Sequence, residues 1–395
     1  MSDLELQWRD TQYPRYRKLV ADAAADAETA TPPRLAELVD IVGREAGIYL
    51  WYLAVVGGSA WKMEACLTRF ARQHLAEALP QQDGGAQVLL RGLPGTQPLA
   101  VPHAVQSVDW YHPVAGELPS DQPLSATVDG RHRELAEQRA AAEQRSRKLL
   151  ADRPRVLSDF DRLLEVTQRY AVIREEQARD FTLGWPVLRT CARRLGQYLT
   201  GLGVIERPDE VFFCTRNEIN SALADIRAPI SAVDQRCELW QRQRRLSAPL
   251  TLGRPARLIG DVIDRAVQEA RGAAEPAEGV ILGHPASAGR ATGPVHIVYG
   301  PDDFAAFGDG DVLVAKATSP AWTPLFARAA AVVTDGGTLA AHASLVAREY
   351  GIPAVVGTGD ATRRLSPGQL VTVDGSAGII ITVHLATAER SPRVG

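Results

Sequence analysis

Cysteine is scarce and scattered. Four occur in 395 residues, Cys66, Cys191, Cys214 and Cys237, with no CxxC pair and no clustered histidines. That pattern matches neither a disulfide framework nor a zinc site. Four reduced, mostly buried thiols in the cytoplasm are expected instead. Neither sign of charge dominates: 44 Lys+Arg against 47 Asp+Glu leave a net charge of −3 and a pI near 6.3. No nucleic-acid or anionic-membrane partner is expected from that balance. Among the basic residues lysine is rare (Lys18, Lys62, Lys148 and Lys316), a mark of genome base composition rather than of chemistry. Long apolar runs are missing too. The longest, residues 46–61, is broken by Gly57 and Gly58 and falls short of the roughly 20 residues a membrane span needs. It reads as a buried helix. The first ten residues are polar and acidic, so no signal peptide is visible.

What is present is ordinary for a soluble protein of two or three domains: 45% hydrophobic and 23% charged residues. To about residue 270 the periodicity is helical. Leu35, Leu38, Val39 and Val42 recur at helical spacing after Thr31-Pro32-Pro33. Leu157, Phe160, Leu163, Leu164 and Val166 do so after Asp152-Arg153-Pro154, and Leu188, Cys191, Leu195, Leu199 and Leu202 do so before Gly203. Residues 80–130 are too rich in Gly and Pro for a helix and either cover a surface or move. Residues 131–150 are charge-rich and predict a solvated helix. An Ala/Glu/Gly/Pro stretch at 271–279 reads as a hinge linker. Beyond it the period changes to short β-branched runs at 295–298, 312–315, 331–334, 354–356, 370–373 and 379–383. Helical pieces near 325–329 and 342–350 lie among them. Residues 280–385 are expected to form a compact β/α domain, with 386–395 as a tail.

The most informative stretch surrounds His342. An apolar run (329–333) ends in the turn Thr334-Asp335-Gly336-Gly337, and His342 then opens an amphipathic segment that stops at Gly351 and Pro353. A helix start presents unbonded N–H groups and the positive end of the dipole, which favour an anion. Imidazole is a competent nucleophile at neutral pH. Both features suit a histidine that carries a phosphoryl group.

At this point the sequence resembles a known family. Four ordered motifs carry the resemblance: Gly283-His284-Pro285-Ala286-Ser287-Ala288-Gly289-Arg290-Ala291-Thr292-Gly293, Thr318-Ser319-Pro320-Ala321-Trp322-Thr323-Pro324-Leu325, the His342 segment, and Val373-Asp374-Gly375-Ser376-Ala377-Gly378. They are similar to the mobile phosphohistidine domain of the phosphoenolpyruvate-utilising enzymes, such as phosphoenolpyruvate synthase, pyruvate phosphate dikinase and rifampin phosphotransferase. The helical part resembles the substrate domain of the last of these. Tyr170-Ala171-Val172-Ile173-Arg174-Glu175-Glu176 and the segments at 203–213 and 89–95 carry that likeness.

The resemblance implies a multi-domain α and α/β protein. A large, mostly helical substrate-binding domain (1–270) precedes a small swivelling β/β/α phosphohistidine domain. In the family an ATP-grasp domain passes the β-phosphoryl of ATP to the histidine, and the mobile domain swings to deliver it to an acceptor. No GxxxxGK[ST] loop occurs, no ATP-grasp region precedes residue 1, and no barrel follows residue 385. A split enzyme is therefore expected, with ATP and Mg²⁺ on an ATP-grasp partner subunit, a small-molecule acceptor on this chain, and no tightly bound cofactor or metal.

By resemblance His342 is the carrier and Arg174 stabilises the transferred phosphoryl. Ser287, Arg290, Thr318, Thr334, Gly337, Thr338 and Ser344 are the candidate phosphate contacts. The family places a hydroxyl just before the histidine, where this sequence has Ala340-Ala341; Thr338 and Ser344 are the candidates to replace it. Trp51 and Tyr52, with Tyr49 and Trp61, either line an acceptor pocket or belong to the core. His103 and His112 are candidate bases toward an acceptor hydroxyl. His284 reads as a loop residue; His296 and His384 lie in strand patterns. Two other readings stay open: a dehydratase or condensing component that phosphorylates a hydroxyl only to make it leave, and a non-catalytic regulator that keeps the fold.

Overall fold

Proline at a first helical position sets where the long helices begin, because its missing N–H falls where no intrahelical bond would form. A computed structural model describes residues 2–80, 85–96, 101–105, 107–118, 126–224, 230, 232–244, 246, 279–337 and 342–383. The chain divides into two units. One is Met1–Arg254 with Tyr299–Pro301 and Ser319–Thr323; the other is Pro255–Val298, Asp302–Thr318 and Pro324–Gly395. The expected linker (but for Gly279), the tail, Thr338 and His384 lie outside the described residues.

In the first unit the helices are α1 (Ser2–Gln7), α2 (Tyr13–Ala27), α3 (Pro32–Tyr52), α4 (Ser59–His74), α5 (Ala126–Leu149), α6 (Pro154–Asp180), α7 (Trp185–Gly201), α8 (Arg216–Leu223) and α9 (Val233–Arg244). Thr31 (φ −70°, ψ 157°) and Arg153 (φ −126°, ψ 70°) hand over to Pro32 and Pro154. The periodic apolar residues face inward: Leu35, Leu38, Val42, Phe160, Leu164, Leu188, Leu195 and Leu199 are all buried.

Three expectations change. Residues 46–61 are not one buried helix. α3 ends at Tyr52, a π-turn (Leu53–Gly57) follows, and α4 starts at Ser59. A Gly-Gly pair is a common site for such a break. Residues 131–150 are not merely solvated, since Leu135, Ala142 and Ser146 form a buried seam along α5. Ser146 tolerates burial by donating to Ala142 O at 2.8 Å. The thiols are unbridged, but only Cys191 is buried, and Cys66 is exposed. In the Gly/Pro-rich region, the turn Gly85–Leu90 is buried throughout and covers a core of Leu67, Leu75, Phe160 and Leu164. Among the described residues no helix is long and apolar enough to cross a membrane.

The second unit is built on a sheet of eight strands: β1 (Val280–Leu282), β2 (His284–Ser287), β3 (Arg290–Val298), β4 (Val312–Ala315), β5 (Ala331–Thr334), β6 (Ala354–Val356), β7 (Leu370–Asp374) and β8 (Ile379–Thr382). Their order is β1-β8-β7-β3-β4-β5-β6-β2. β3 to β6 run parallel, with α10 (Thr323–Arg328) and α11 (His342–Tyr350) in the crossovers, and α12 (Ala361–Arg364) follows β6. β4, β5 and β6 are buried at every position, as parallel strands covered on both faces must be. Six of the eight strands fall where β-branched runs predict them. β1 and β2 escape that pattern, being short and, in β2, carrying His284 and Pro285.

Glycine is required where α7 meets the turn Pro208–Phe213: a Cβ on Gly196 would lie 2.1 Å from Pro208 O. Gly196→Ala is expected to destabilise the protein by about 1–3 kcal/mol through forced backbone displacement. A lowered urea midpoint at unchanged m-value would report it.

Candidate functional site

Parallel strands of an open sheet end together, and the crevice beyond their carboxyl ends is where such sheets bind ligands. Here three loops meet at that edge, after β4, β5 and β6. Backbone bonds lace them: Asp335 N donates to Ala315 O (3.0 Å), Gly336 N to Lys316 O (2.9 Å), Thr358 N to Thr334 O (3.1 Å) and Gly359 N to Asp335 O (2.8 Å). Asp335, which sequence reasoning did not single out, is the hub. Its carboxylate accepts from Thr362 N (3.0 Å), Thr358 Oγ1 (3.3 Å) and Thr362 Oγ1. Burial draws the Lys316 ammonium below its ordinary pKa, and Asp335 opposes that drift.

His342 is the first residue of α11, which returns the chain from the carboxyl edge at β5 to the start of β6. Its ring is half-exposed with Nε2 buried, and it stands edge-on to Phe326, 6.4 Å between centroids. One turn and a half on, Arg348 Nε donates to Ala286 O at 2.6 Å and pins α11 to β2.

The sequence-derived phosphate contacts separate into two groups. Thr318, Thr334, Gly337 and Ser344 lie at the carboxyl edge or in the first turn of α11. Thr318 Oγ1 is buried with no hydrogen-bond partner among the described residues. Gly337 takes φ 112°, a conformation that favours glycine. Ser344 is fully buried. Thr334 differs: its hydroxyl proton goes to Gly336 O at 2.7 Å, so it braces the turn and has no proton left for a phosphate while that bond stands.

Ser287 and Arg290 are not brought to this edge. β2 runs antiparallel to β6, and its end, Ser287, pairs with Ala354 at the start of β6. Arg290 pairs with Asp374 at the far end of β3, eight residues and about 26 Å of strand from Val298. The same register corrects the reading of His284 as a loop residue. It opens β2 opposite Val356, and a Cβ on Gly357 would fall 2.8 Å from its Cδ2 and 2.9 Å from Gly337 O.

In the helical unit Arg174 is nine-tenths buried, not at the surface. It grips Glu175 Oε1 through Nε (3.0 Å) and Nη2 (2.6 Å). His103 Nε2 lies 3.1 Å from Arg179 O and 3.7 Å from Asp180 Oδ1. Asp180 also accepts from Tyr13 OH and, at 2.8 Å, from Arg179. Burial alone would raise its pKa, but bonds from Arg179, His103 and Tyr13 hold it well below the carboxylate range. His112 forms a separate cluster. Its Nδ1 is 2.9 Å from both oxygens of Asp109, and its ring packs against Tyr111 and Trp240. The spacing of Asp109 and His112 was the available signal for this dyad.

The aromatic set splits by helix geometry. Tyr49 and Tyr52, three residues apart, share the buried face. Trp51 and Trp61 are more than half exposed, so Tyr52 belongs to the core and Trp51 to the surface.

Residues 307–378 match the family model described as the mobile domain of PEP-utilising enzymes. Most of the matched segment lies in the second unit. Similarity extends further along the chain: an uncharacterized phosphotransferase of Bacillus subtilis, YvkC, is 34% identical over 58% of the chain. The rifampicin phosphotransferase of the same species is 27% identical over 63%, and the phosphoenolpyruvate synthase of Aeropyrum pernix 50% identical over 28%. The chain spans 28%, 28% and 14% of these three relatives. Among the described residues no grouping of three His, Cys, Asp or Glu side chains is placed to hold a metal ion.

Two outcomes are expected. Asp335→Ala removes the acceptor of at least two hydrogen bonds and should lower stability by about 1–3 kcal/mol, read by denaturant unfolding. Asp109 is pushed up by burial but held lower still by His112 and Ser107. A depressed carboxyl stabilises the fold above its unfolded pKa of about 3.9 and loses that contribution as pH falls. In His112→Ala the Asp109 titration followed by carboxyl NMR should move up, and the loss of stability on acidification should be shallower.

Proposed function

We propose that this chain is the phosphohistidine carrier and acceptor-binding part of an ATP-dependent phosphotransferase that acts on a small organic molecule. One observation carries the reading: within the segment matched to the mobile domain, His342 opens α11 at the ligand-binding edge of the parallel strands. A nitrogen of His342 attacks the donor phosphorus; the donor P–O bond breaks as P–N forms. In the second half-reaction P–N breaks, P–O forms on the acceptor, and the acceptor hydroxyl gives its proton to a base.

Thr318 supports the carrier side, because its buried hydroxyl is a donor available to a phosphoryl oxygen. On the acceptor side His112 fits the base better than His103. Asp109 at Nδ1 fixes the tautomer that carries the lone pair on Nε2, the arrangement a general base needs. The donor nucleotide and its Mg²⁺ belong to an ATP-grasp module outside these residues, which we assign to a partner subunit in the cytoplasm.

The test is intact-mass analysis after incubation with Mg·ATP and the ATP-grasp protein of the same organism. One added, acid-labile phosphoryl is expected on the native chain and none on His342→Ala. Absence of label on the native chain would overturn the carrier role. Label that persists in His342→Ala would assign it to another residue.

A further inference from the structure

Among the buried polar atoms of the helical unit recorded without a hydrogen-bond partner, three sit together on one turn of α6. They are Arg174 Nη1 and both Nε2 and Oε1 of Gln177. Gln177 is fully buried and Arg174 nine-tenths so. Each such atom is costly unless something satisfies it, and native interiors leave few of them. The turn faces the π-turn Leu53–Gly57: a Cβ on Gly57 would lie 2.7 Å from Gln177 Oε1 and 3.5 Å from Arg174 Cγ. A side chain there would crowd the carboxamide, so glycine lets the π-turn approach this turn of α6 closely. π-turns inside helices recur at functional sites, and this one interrupts a helix against the only unsatisfied turn of its neighbour among the described residues of α6.

The chemistry of the three atoms defines what they take. Glu175 holds Nε and Nη2 of Arg174 and neutralises its charge, so a second anion gains little there. What remains is one donor edge on Arg174 and a carboxamide that both donates and accepts. A neutral group with a hydroxyl beside a carbonyl matches all three: the hydroxyl donates to Gln177 Oε1, and the carbonyl accepts from Gln177 Nε2 and Arg174 Nη1.

We infer that Arg174, Gln177 and the π-turn form a binding site for a neutral hydroxy-carbonyl group. This deepens the acceptor-binding reading above by naming the class of acceptor, and it makes Gln177 a substrate-positioning residue.

Lactamide, a neutral hydroxyl beside a carboxamide, is the probe, with lactate and propionamide as the anionic and hydroxyl-free comparisons. Saturation-transfer NMR on the full chain at tens of millimolar ligand is expected to rank lactamide above both. Gln177→Leu and Gly57→Ala should each weaken lactamide binding by about tenfold or more. Because Gln177→Leu also removes two orphaned polar atoms, its melting temperature should rise by about 2–4 °C. A variant that binds lactamide as the native chain does, or a native chain that does not bind it, overturns the site. Retained binding in Gln177→Leu with a raised melting temperature would mean that the space holds only water. Phosphorylation of His342 is measured separately, on the native chain. Its absence from the native chain would sink the carrier reading without touching the lactamide result.

Discussion

The carboxylate of Asp335 holds the working edge of the second unit together. Four strands end there, and strand ends are where backbone groups run out of ladder partners. Asp335 sits at the end of β5 and takes bonds from the loop after β6 and from the first turn of α12, while its own N–H is tied to the end of β4. One residue, through its side chain and its backbone N–H, therefore ties three loops to one another. The Gly336-Gly337 turn, and with it the direction in which the chain leaves toward α11, hangs from that fixed point. A carrier histidine has to be presented in the same geometry at two different sites, which a rigid edge on a small domain provides and a long loop does not.

Polar groups in the helical unit are handled in two opposite ways. At Asp180 the charged groups are matched: Tyr13, His103 and Arg179 converge on one carboxylate, and Arg189 is likewise matched by Glu117 and the carbonyls of Trp110 and Tyr111. One turn earlier on α6 the matching stops, at Arg174 and Gln177. The contrast lies within a single helix. Unsatisfied groups beside a well-satisfied network are the pattern expected where stability has been given up for binding.

Much of the fold was legible because it rests on periodicity. Helix starts at Pro32 and Pro154, the strands at 312–315 and 331–334, and the helix 342–350 follow from local rules that tertiary structure did not override. The π-turn was not legible. Gly57-Gly58 marked an interruption, but an extra residue in a helical turn leaves no periodic trace when the flanks are apolar on every side. Trp51 and Tyr52 show the same blindness at finer scale: both are aromatic, and only the phase of α3 decides that one is core and the other surface.

The candidate site was legible only as far as chain order and spatial order agree. Thr318 follows β4, and Gly337 and His342 both follow the adjacent parallel strand β5, so all three arrive at the same edge. Ser287 and Arg290 belong to a motif just as distinctive, yet that motif covers β2 and the start of β3, and the sheet order puts β2 at one margin beyond β6 and β3 four places away. Nothing local in the sequence encodes that separation. It arises because β2 pairs antiparallel with a strand that follows it by about 70 residues. The reversal that removes Ser287 from the edge is also what brings His284 to it, since in an antiparallel partner the first residue of one strand must meet the last residue of the other.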